Sequence, residues 1–399
     1  MMRKLRALVG PEPTLVHAGW LCVLSGLALS LLGVYAIDLS TRSGASGDAP
    51  ISGRAIGQLV CIPLGMIAAA IVAIPHYRHI KRLAWPGVIV LIGVLAMLLV
   101  PVVPRSIVFE QNGARSWITI GSINIQPSEI AKVAYILAMA EYFRFRANHR
   151  TIRGLFAPVV ITLVPVGLIA LQPDLGTASL FVPTLFAILI AAGARLKHLL
   201  TAVVLGLVLG PLAYPALRPH QKERIHGMVL ALRGEREGAD DINHQRFAAQ
   251  DVAGSGGVTG ASPELSRALI RYSTLPERHT DMIFPVVMNR FGLLGGLGVL
   301  ALYGVWIVGA GMTAGVSRDP FGRLAAIGCA AMLSTQLLTN VAMALGLFPI
   351  IGITLPFMSY GRSSMISVWL MTGVVMCVAT RQPLPPYRGS FEFGDEEEG

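Results

Sequence analysis

The chain has 399 residues, of which 54% are hydrophobic and only 14% are charged, and its mean hydropathy is +0.64. A water-soluble protein of this length carries more charged surface, so the composition excludes a soluble enzyme or binding domain and indicates an integral membrane protein.

Apolar stretches of about 20 residues, the length that an α-helix needs to cross a bilayer, recur along the chain. We predict an all-α membrane protein with about ten transmembrane helices. The predicted spans are residues 17–37, 55–75, 84–104, 127–143, 155–171, 176–193, 196–216, 283–312, 322–347 and 360–380. Residues 17–380 are thus expected to form one transmembrane domain between a short N-terminal segment (1–16) and a C-terminal tail (381–399).

The distribution of basic residues predicts the orientation of these spans. With the N-terminus in the cytoplasm, the cytoplasmic segments carry 16 Lys and Arg, and the short connections on the other side carry 5. The positive-inside rule therefore predicts that both termini are cytoplasmic and that residues 217–281, between spans 7 and 8, form a large extracytoplasmic loop. Much of the net charge of +10 follows from this topology, so no nucleic-acid partner is expected.

The cysteines predict no disulfide framework. Cys22, Cys61, Cys329 and Cys377 all fall inside predicted spans, where buried free thiols are expected. The first apolar run is long enough to span and lacks a small-residue cleavage site, so we expect it to be retained as a helix.

Ionisable groups in or beside membrane spans are costly and indicate function. The first outward-facing stretch that carries them is residues 112–132. Glu129 and Lys132 are three apart, so they share one helix face and are expected to pair. Two interpretations are open: an ion pair that only orders the bundle, or a site in which Lys132 and Arg115 bind a phosphate-bearing substrate while Glu129 positions Lys132. Trp117 is more simply an anchor at the membrane interface.

The second stretch is the connection at residues 171–178, LQPDLGTA. Asp174 is expected to cap the helix that begins at Leu175 or Gly176. A carboxylate in such a loop can also help to bind a divalent cation, but one acid alone is a weak metal signal.

The third stretch, LPERHTDMIF at residues 275–284, places a charge cluster where the large loop enters the eighth span. Partial burial there would raise the pKa of Asp281 and prepare it to accept a proton, whereas Arg278 and His279 would act in the opposite direction. The alternative is that Asp281 is a helix-capping acid among solvated charges.

The fourth stretch, residues 339–364, places Asn340 inside a span and then breaks the backbone at Pro349, Gly352 and Pro356. Such backbone at membrane depth is tolerated only against protein or a water-filled cavity. A polar pocket is therefore predicted, with a re-entrant connection as the alternative.

Together these stretches resemble the SEDS family of RodA- and FtsW-type membrane proteins over residues 15 to 380. The motifs that carry the resemblance are Arg115-Ser-Trp117, Gln126-Pro-Ser-Glu129-Ile-Ala-Lys132, Gln172-Pro-Asp174-Leu-Gly-Thr177, Pro276-Glu-Arg-His279-Thr280-Asp281 and LPFMSYGRSS, which contains Ser359, Ser363 and Ser364. No single motif is specific for the family, but the order of the motifs and their positions in the loops are specific for it.

The resemblance implies a peptidoglycan glycosyltransferase that polymerises lipid II on the outer face of the bacterial cytoplasmic membrane. It implies that Asp281 is the essential acid, which accepts the proton of the acceptor 4-hydroxyl. Undecaprenyl pyrophosphate would be the leaving group, stabilised by Arg115, Lys132, Arg278 or a divalent cation such as Mg²⁺ or Mn²⁺.

The resemblance further implies where the substrate binds and which protein assists. The implied substrate-binding residues are Arg115, Trp117, Glu129, Lys132, Asp174, His279, Thr280, Asn340, Ser359, Ser363 and Ser364. The expected partner is a class B penicillin-binding transpeptidase. A lipid II flippase and a noncatalytic scaffold for cell-wall enzymes are the alternative functions.

The sequence also departs from the family pattern. Met282 follows Asp281, the run Met288-Asn289-Arg290-Phe291 replaces a stretch expected to carry acids, and Arg362 follows Gly361. The segments 244–247 and 254–257 of the large loop only approximate the pattern. These departures bear on loop packing and on charge partners of the eighth span.

Overall fold

The computed structural model describes residues 17–42, 51–100, 108–111, 114–121, 123–146, 151, 153–209, 212, 214–215, 222 and 241–381. The helices of the first half are α1 (Gly19–Thr41), α2 (Gly53–Ala73), α3 (Tyr77–Leu99), α4 (Pro127–Phe143), α5 (Phe156–Leu171), α6 (Leu175–Ser179), α7 (Phe181–Ala192) and α8 (Leu196–Leu209). Those of the second half are α9 (Asp241–Ser255), α10 (Pro263–Tyr272), α11 (Ile283–Val316), α12 (Pro320–Ala344) and α13 (Arg362–Ala379).

Eight helical segments of the described chain are long and apolar enough to cross a membrane, which confirms an all-α membrane protein. Two predicted spans are helical but shorter: α4 has 17 residues and α8 has 14. The number of ten spans therefore stays a prediction. The helix of the third predicted span begins at Tyr77, seven residues before the predicted start of the span. His76 caps this helix, since its Nδ1 accepts the N–H of Arg78 at 3.2 Å.

Small residues bring the central helices into close contact. A Cβ added to Gly65 of α2 would lie 2.6 Å from the Trp369 ring, and one added to Gly373 of α13 would lie 2.5 Å from the Ala69 carbonyl oxygen. Such approaches are typical of helix packing in membranes. The four cysteines lie buried as free thiols, as predicted.

A small sheet between α3 and α4 was not predicted. Its strands β1 (Val108–Gln111), β2 (Ala114–Ile120) and β3 (Ile123–Ile125) pair antiparallel in the order β1-β2-β3. A two-residue turn joins β2 to β3, and Gly121 in this turn has φ +63°, which favours glycine.

Asn289 and Arg290, which depart from the family pattern, lie just before a break in α11. Gly292 has φ 67° and ψ −167°, so the helix is interrupted there. The loop after α9 fills the break: Gly257 O accepts the N–H of Leu293 at 2.9 Å, and Asn289 Nδ2 donates to Ser255 Oγ at 2.7 Å. Asn289 therefore bonds to the large loop through an uncharged contact, where the family pattern suggested acids.

The connection at residues 345–361, between α12 and α13, is largely buried in the bundle from Ile353 to Ser359. Phe357 has φ 64° and packs against Trp369 with ring centroids 5.5 Å apart, and the hydroxyl of Tyr303 donates to Pro356 O. This broken backbone lies against protein, as membrane depth requires. It carries the fourth predicted stretch to the end of the bundle at which α11 begins.

Candidate functional site

Asp281 lies in a tight turn before α11, directly ahead of Met282. The N–H groups of Thr280 and Met282 both donate to Glu277 O at 3.1 Å, and Thr280 Oγ1 donates to Glu277 Oε2 at 2.6 Å. The N-cap residue of α11 is Met282, so Asp281 does not occupy the capping position proposed as its alternative role. Asp281 is half-buried, which leaves part of it accessible at the edge of the bundle.

Asn340 fixes this turn from inside the bundle. It is fully buried on α12, and its Nδ2 donates to Asp281 O at 2.8 Å and to Ile353 O at 2.6 Å. Its Oδ1 is buried and has no hydrogen-bond partner among the described residues. Gly352 borders the carboxylate, since a Cβ added there would lie 3.4 Å from Asp281 Oδ2.

The start of the LPFMSYGRSS segment holds the same turn from the other side. Ser359 Oγ donates to Thr280 O at 2.5 Å, and the Tyr360 N–H donates to His279 O at 2.9 Å. Gln58 of α2, fully buried, clamps the segment by donating to Ser359 O at 2.8 Å and accepting from the Gly361 N–H at 3.2 Å. Successive backbone groups of the Asp281 turn are therefore bound to α12 and to the connection before α13.

Glu129 and Lys132 form the predicted ion pair on α4, with Lys132 Nζ 2.8 Å from Glu129 Oε2. Both are buried, and Lys132 is 1% exposed. Lys132 Nζ also donates to Gln336 Oε1 at 3.1 Å, and Gln336 Nε2 donates to Thr354 O at 2.9 Å. The pair is therefore linked to the connection that carries Gly352 and Ser359.

Asp174 caps α6 as predicted, because its Oδ1 accepts the Thr177 N–H at 3.0 Å. Its Oδ2 accepts from Gln126 Nε2 at 3.0 Å, which connects it to the residue before α4. The next turn lies directly against the fourth stretch, since a Cβ added to Gly176 would lie 2.4 Å from Ile351 O. Burial raises the pKa of Asp174 first, and Glu129 raises it further, while the Thr177 hydrogen bonds and Lys132 oppose the rise.

The serines at the start of α13 complete the link between the first and fourth stretches. Ser363 Oγ accepts the Gln126 N–H at 3.0 Å, and Ser364 Oγ lies 3.1 Å from Thr354 Oγ1. Both serines are buried. All four predicted stretches thus meet at one end of the bundle.

Arg115 and Trp117 lie on β2 at the border of this region, and both are half-buried. Between them, buried Ser116 donates to Gln172 O at 3.2 Å and ties the strand to the connection that carries Asp174. Because side chains alternate along a strand, Arg115 and Trp117 face away from Ser116.

Positive charge surrounds the turn. The pKa of His279 is lowered by burial first and then by Arg54 and Arg278, while Glu277 acts in the opposite direction. The pKa of Arg278 is likewise lowered by burial and by Arg54. His279 is therefore neutral at neutral pH, and two arginines provide the local positive field.

Sequence reasoning missed several residues of this site. Gln58 and Gln336 are amides inside predicted apolar spans, a signal that was available because polar groups at membrane depth are costly. Thr354 and Arg54 offered no such signal, since their roles depend on tertiary contacts. Among the residues that the structure describes, no three His, Cys, Asp or Glu lie together as a metal site.

Fold and site together define an integral membrane protein with a polar, charged site at one end of its helical bundle. Residues 17–383 match the model of the FtsW/RodA/SpoVE cell cycle proteins, and the chain belongs to this family.

Similar proteins include the probable peptidoglycan glycosyltransferase FtsW of Bacillus subtilis, 31% identical over 82% of this chain and 84% of that protein. Stage V sporulation protein E of the same organism is 30% identical over 81% of this chain and 86% of that protein. A chain of a peptidoglycan synthase complex that coordinates polymerization and crosslinking has TM-score 0.74 and 30% identity, covering 90% of this chain and 96% of its own length. Rod shape determining protein RodA of Thermus thermophilus has TM-score 0.63 and 28% identity, covering 90% and 95%.

Proposed function

We propose that this chain is a peptidoglycan glycosyltransferase that polymerises glycan strands from lipid II, with Asp281 as the general base. The observation that carries the proposal is the position of Asp281, half-buried at the edge of the bundle and fixed through its own carbonyl by buried Asn340. Relatives that match most of the chain are named peptidoglycan glycosyltransferases.

The reaction needs one well-placed base. The acceptor sugar loses the proton of its 4-hydroxyl to Asp281 as the oxygen attacks the anomeric carbon of the donor. The bond from that carbon to the undecaprenyl pyrophosphate breaks, and the pyrophosphate leaves with the bonding electrons. A single displacement inverts the anomeric carbon and needs no covalent enzyme intermediate. The neighbouring His279 is neutral, so it adds no charge that would hold the proton off Asp281.

Positive groups of the site stabilise the leaving pyrophosphate. Arg278 and Arg54 lie close enough to shift the pKa of His279, and Arg115 lies at the border of the same region. Lys132 is 1% exposed in this conformation, so it acts through Gln336 and Thr354 on the shape of the site rather than at its surface. Trp117 and the hydroxyls of Thr280, Ser359, Ser363 and Ser364 complete the proposed substrate-binding set.

A divalent cation, Mg²⁺ or Mn²⁺, is part of the proposal. Such ions are commonly bound by one or two carboxylates together with substrate phosphates. The described residues offer no cluster of three acids that would bind the ion without substrate, so the substrate pyrophosphate would supply most of its ligands. The ion would neutralise charge that develops on the leaving group.

The proposed location is the bacterial cytoplasmic membrane, with both termini in the cytoplasm and the Asp281 site on the outer face. The 16-to-5 distribution of Lys and Arg supports this orientation. The proposed partner is a class B penicillin-binding transpeptidase, because the similar solved chain belongs to a complex that coordinates polymerization with crosslinking.

Transport of lipid II is the second candidate, since a many-helix bundle with polar residues at membrane depth also suits a transporter. It is less well supported, because the polar groups of the site gather at one end of the bundle and the Glu129–Lys132 pair among them is buried. A noncatalytic scaffold is the third candidate and requires no accessible acid.

The test uses purified full-length protein in vesicles with lipid II, Mg²⁺ and a transpeptidase whose own catalytic serine has been removed. Glycan polymer and movement of fluorescent lipid II between leaflets are measured on the same sample. Polymer without movement supports the proposal. Movement without polymer supports transport, and neither activity, with a partner shown to bind, supports a scaffold.

A further inference from the structure

A second site lies at the opposite end of the bundle from Asp281. A cavity of about 500 Å³ separates the first turns of α1 from the last turns of α2 and α13. Since α13 has 18 residues, its two ends are roughly 27 Å apart. The cavity is lined by His17, Trp20, Met66, Ala70, Trp369 and Arg381, among others.

The interior of this cavity is apolar and opens toward the lipid. Its volume is within the roughly 300–1,000 Å³ of ligand pockets. Trp20 and Ile74 at its edge are 46% and 62% exposed on the outside of the bundle. The cavity therefore has the character of a binding site rather than of a packed interior.

The mouth of the cavity is cationic. Arg381 Nη1 donates to Ala73 O at 3.0 Å, and its Nη2 donates to Ile74 O. Within the described residues Arg381 forms no ion pair, so none of the described carboxylates neutralises its charge.

Further basic groups surround Arg381. Burial, followed by the positive charges around it, lowers the pKa of His76 to about 4. These charges belong to Arg381, Arg78, His79 and Lys81. An anion at the mouth would therefore meet several cations at once.

We propose that the cavity binds one anionic phospholipid from the leaflet on the side of the chain termini. One acyl chain occupies the space beside Trp369, and the phosphate accepts hydrogen bonds from Arg381. A zwitterionic lipid would supply an acyl chain but no net charge to pair with Arg381. The acidic residues 395–398 of the C-terminal tail offer charge, and Phe391 and Phe393 offer two rings, so the tail is the competing occupant that the test distinguishes.

The test is photocrosslinking of the full-length protein in phosphatidylcholine vesicles that contain phosphatidylglycerol with a diazirine in one acyl chain. We expect adducts on the cavity segments of α2 and α13, displaced by unlabelled phosphatidylglycerol but not by phosphatidylcholine. Arg381→Gln should lower the labelling by roughly tenfold, the factor expected for loss of a charge-assisted hydrogen bond. Arg381→Lys should restore most of it.

Two further variants separate this site from general contact with lipid. Ala70→Phe fills the cavity but leaves Arg381 in place, so it should abolish the adducts even if Arg381→Gln proves poorly folded. Arg323→Gln removes an exposed arginine at the start of α12 and should change nothing. Equal labelling by both lipids, or labelling that survives Ala70→Phe, overturns the proposal. Labelling that appears only after Phe391→Ser and Phe393→Ser also overturns it, because the tail would then be the occupant.

Discussion

The Asp281 turn and the Glu129–Lys132 pair both place charge inside an apolar bundle, yet they differ in access. Asp281 is half-buried and is held mainly through backbone groups, so its carboxylate stays at the edge. Lys132 is 1% exposed, and its ammonium group is bound by Glu129 and Gln336. In the proposed function, chemistry occurs at the edge of the bundle and the inner pair keeps that edge in shape.

The largest expected effect comes from breaking the inner pair. Lys132→Met leaves Glu129 buried without its cation, which should lower the free energy of unfolding by roughly 3–5 kcal/mol. The double variant Glu129→Gln with Lys132→Met removes both charges and should recover most of that loss. Unfolding in detergent, followed by circular dichroism, measures both.

Polymerisation by the double variant shows whether the pair only stabilises the bundle. If the pair shapes the edge of the bundle, the stable double variant should remain impaired, with a lower turnover and a nearly unchanged KM for lipid II. Full activity in the double variant would mean that the pair only stabilises the bundle and does not shape the Asp281 site.

A smaller effect is expected where the two regions meet, at Asn340. Asn340→Leu keeps the volume but removes the donor to Asp281 O and Ile353 O, at a cost of roughly 1–3 kcal/mol for each carbonyl left unpaired. Polymerisation should fall more than stability. Ser25→Ala is the matched control, because the buried Ser25 hydroxyl bonds within its own helix to Leu21 O at 2.5 Å. Equal losses in both variants would mean that Asn340 does not position the turn.

Local spacing predicted part of this arrangement correctly. The Glu129–Lys132 pair and the Asp174 cap depend on residues three apart in the sequence, and both are present. The buried position of Asn340 inside a span was equally predictable, but its bonds to Asp281 O and Ile353 O were not, since they join residues 59 and 13 positions apart.

Other features were missed for physical reasons that the structure makes plain. The strands before α4 are short, and turn residues interrupt their pattern, so the sheet did not stand out from a loop. The break in α11 at Gly292 depends on carbonyls supplied by Gly257 and Val258, far away in the sequence. The third span was predicted to begin after Arg78, Lys81 and Arg82, because basic residues suggested a connection. In the structure these three residues lie in the first turns of α3.

Asp174 provides a pH-dependent test of the inner region. Its pKa in the folded state is raised above the ordinary value of 3.8, so the folded protein binds this proton more tightly than the unfolded chain does. This carboxyl therefore contributes stability at low pH that is lost as the pH rises through the folded-state pKa. Asp174→Asn keeps a capping side chain and should flatten that loss in melting temperatures measured from acidic to neutral pH. Parallel curves for the two proteins would exclude the effect.

The smallest effect is expected at His279, two residues before Asp281. Its lowered pKa keeps it neutral at neutral pH, and stability is lost only as the pH falls below the ordinary value of 6.5 through the folded-state pKa. His279→Gln should therefore leave the rate of polymerisation at neutral pH within about twofold, a difference of only ~0.4 kcal/mol. A large drop at neutral pH, with unchanged stability, would assign His279 a direct role in binding or proton transfer.

The most direct test of Asp281 as the base measures lipid II binding and glycan polymerisation on the same preparations of wild type and Asp281→Asn, each with its transpeptidase partner. The substitution keeps the size of the side chain and the backbone contact to Asn340 but removes the proton acceptor. We predict that Asp281→Asn binds lipid II with similar affinity and forms polymer at least ~10²-fold more slowly, as expected for loss of a general base. Polymer formed at the wild-type rate by a correctly folded Asp281→Asn protein would contradict the assignment.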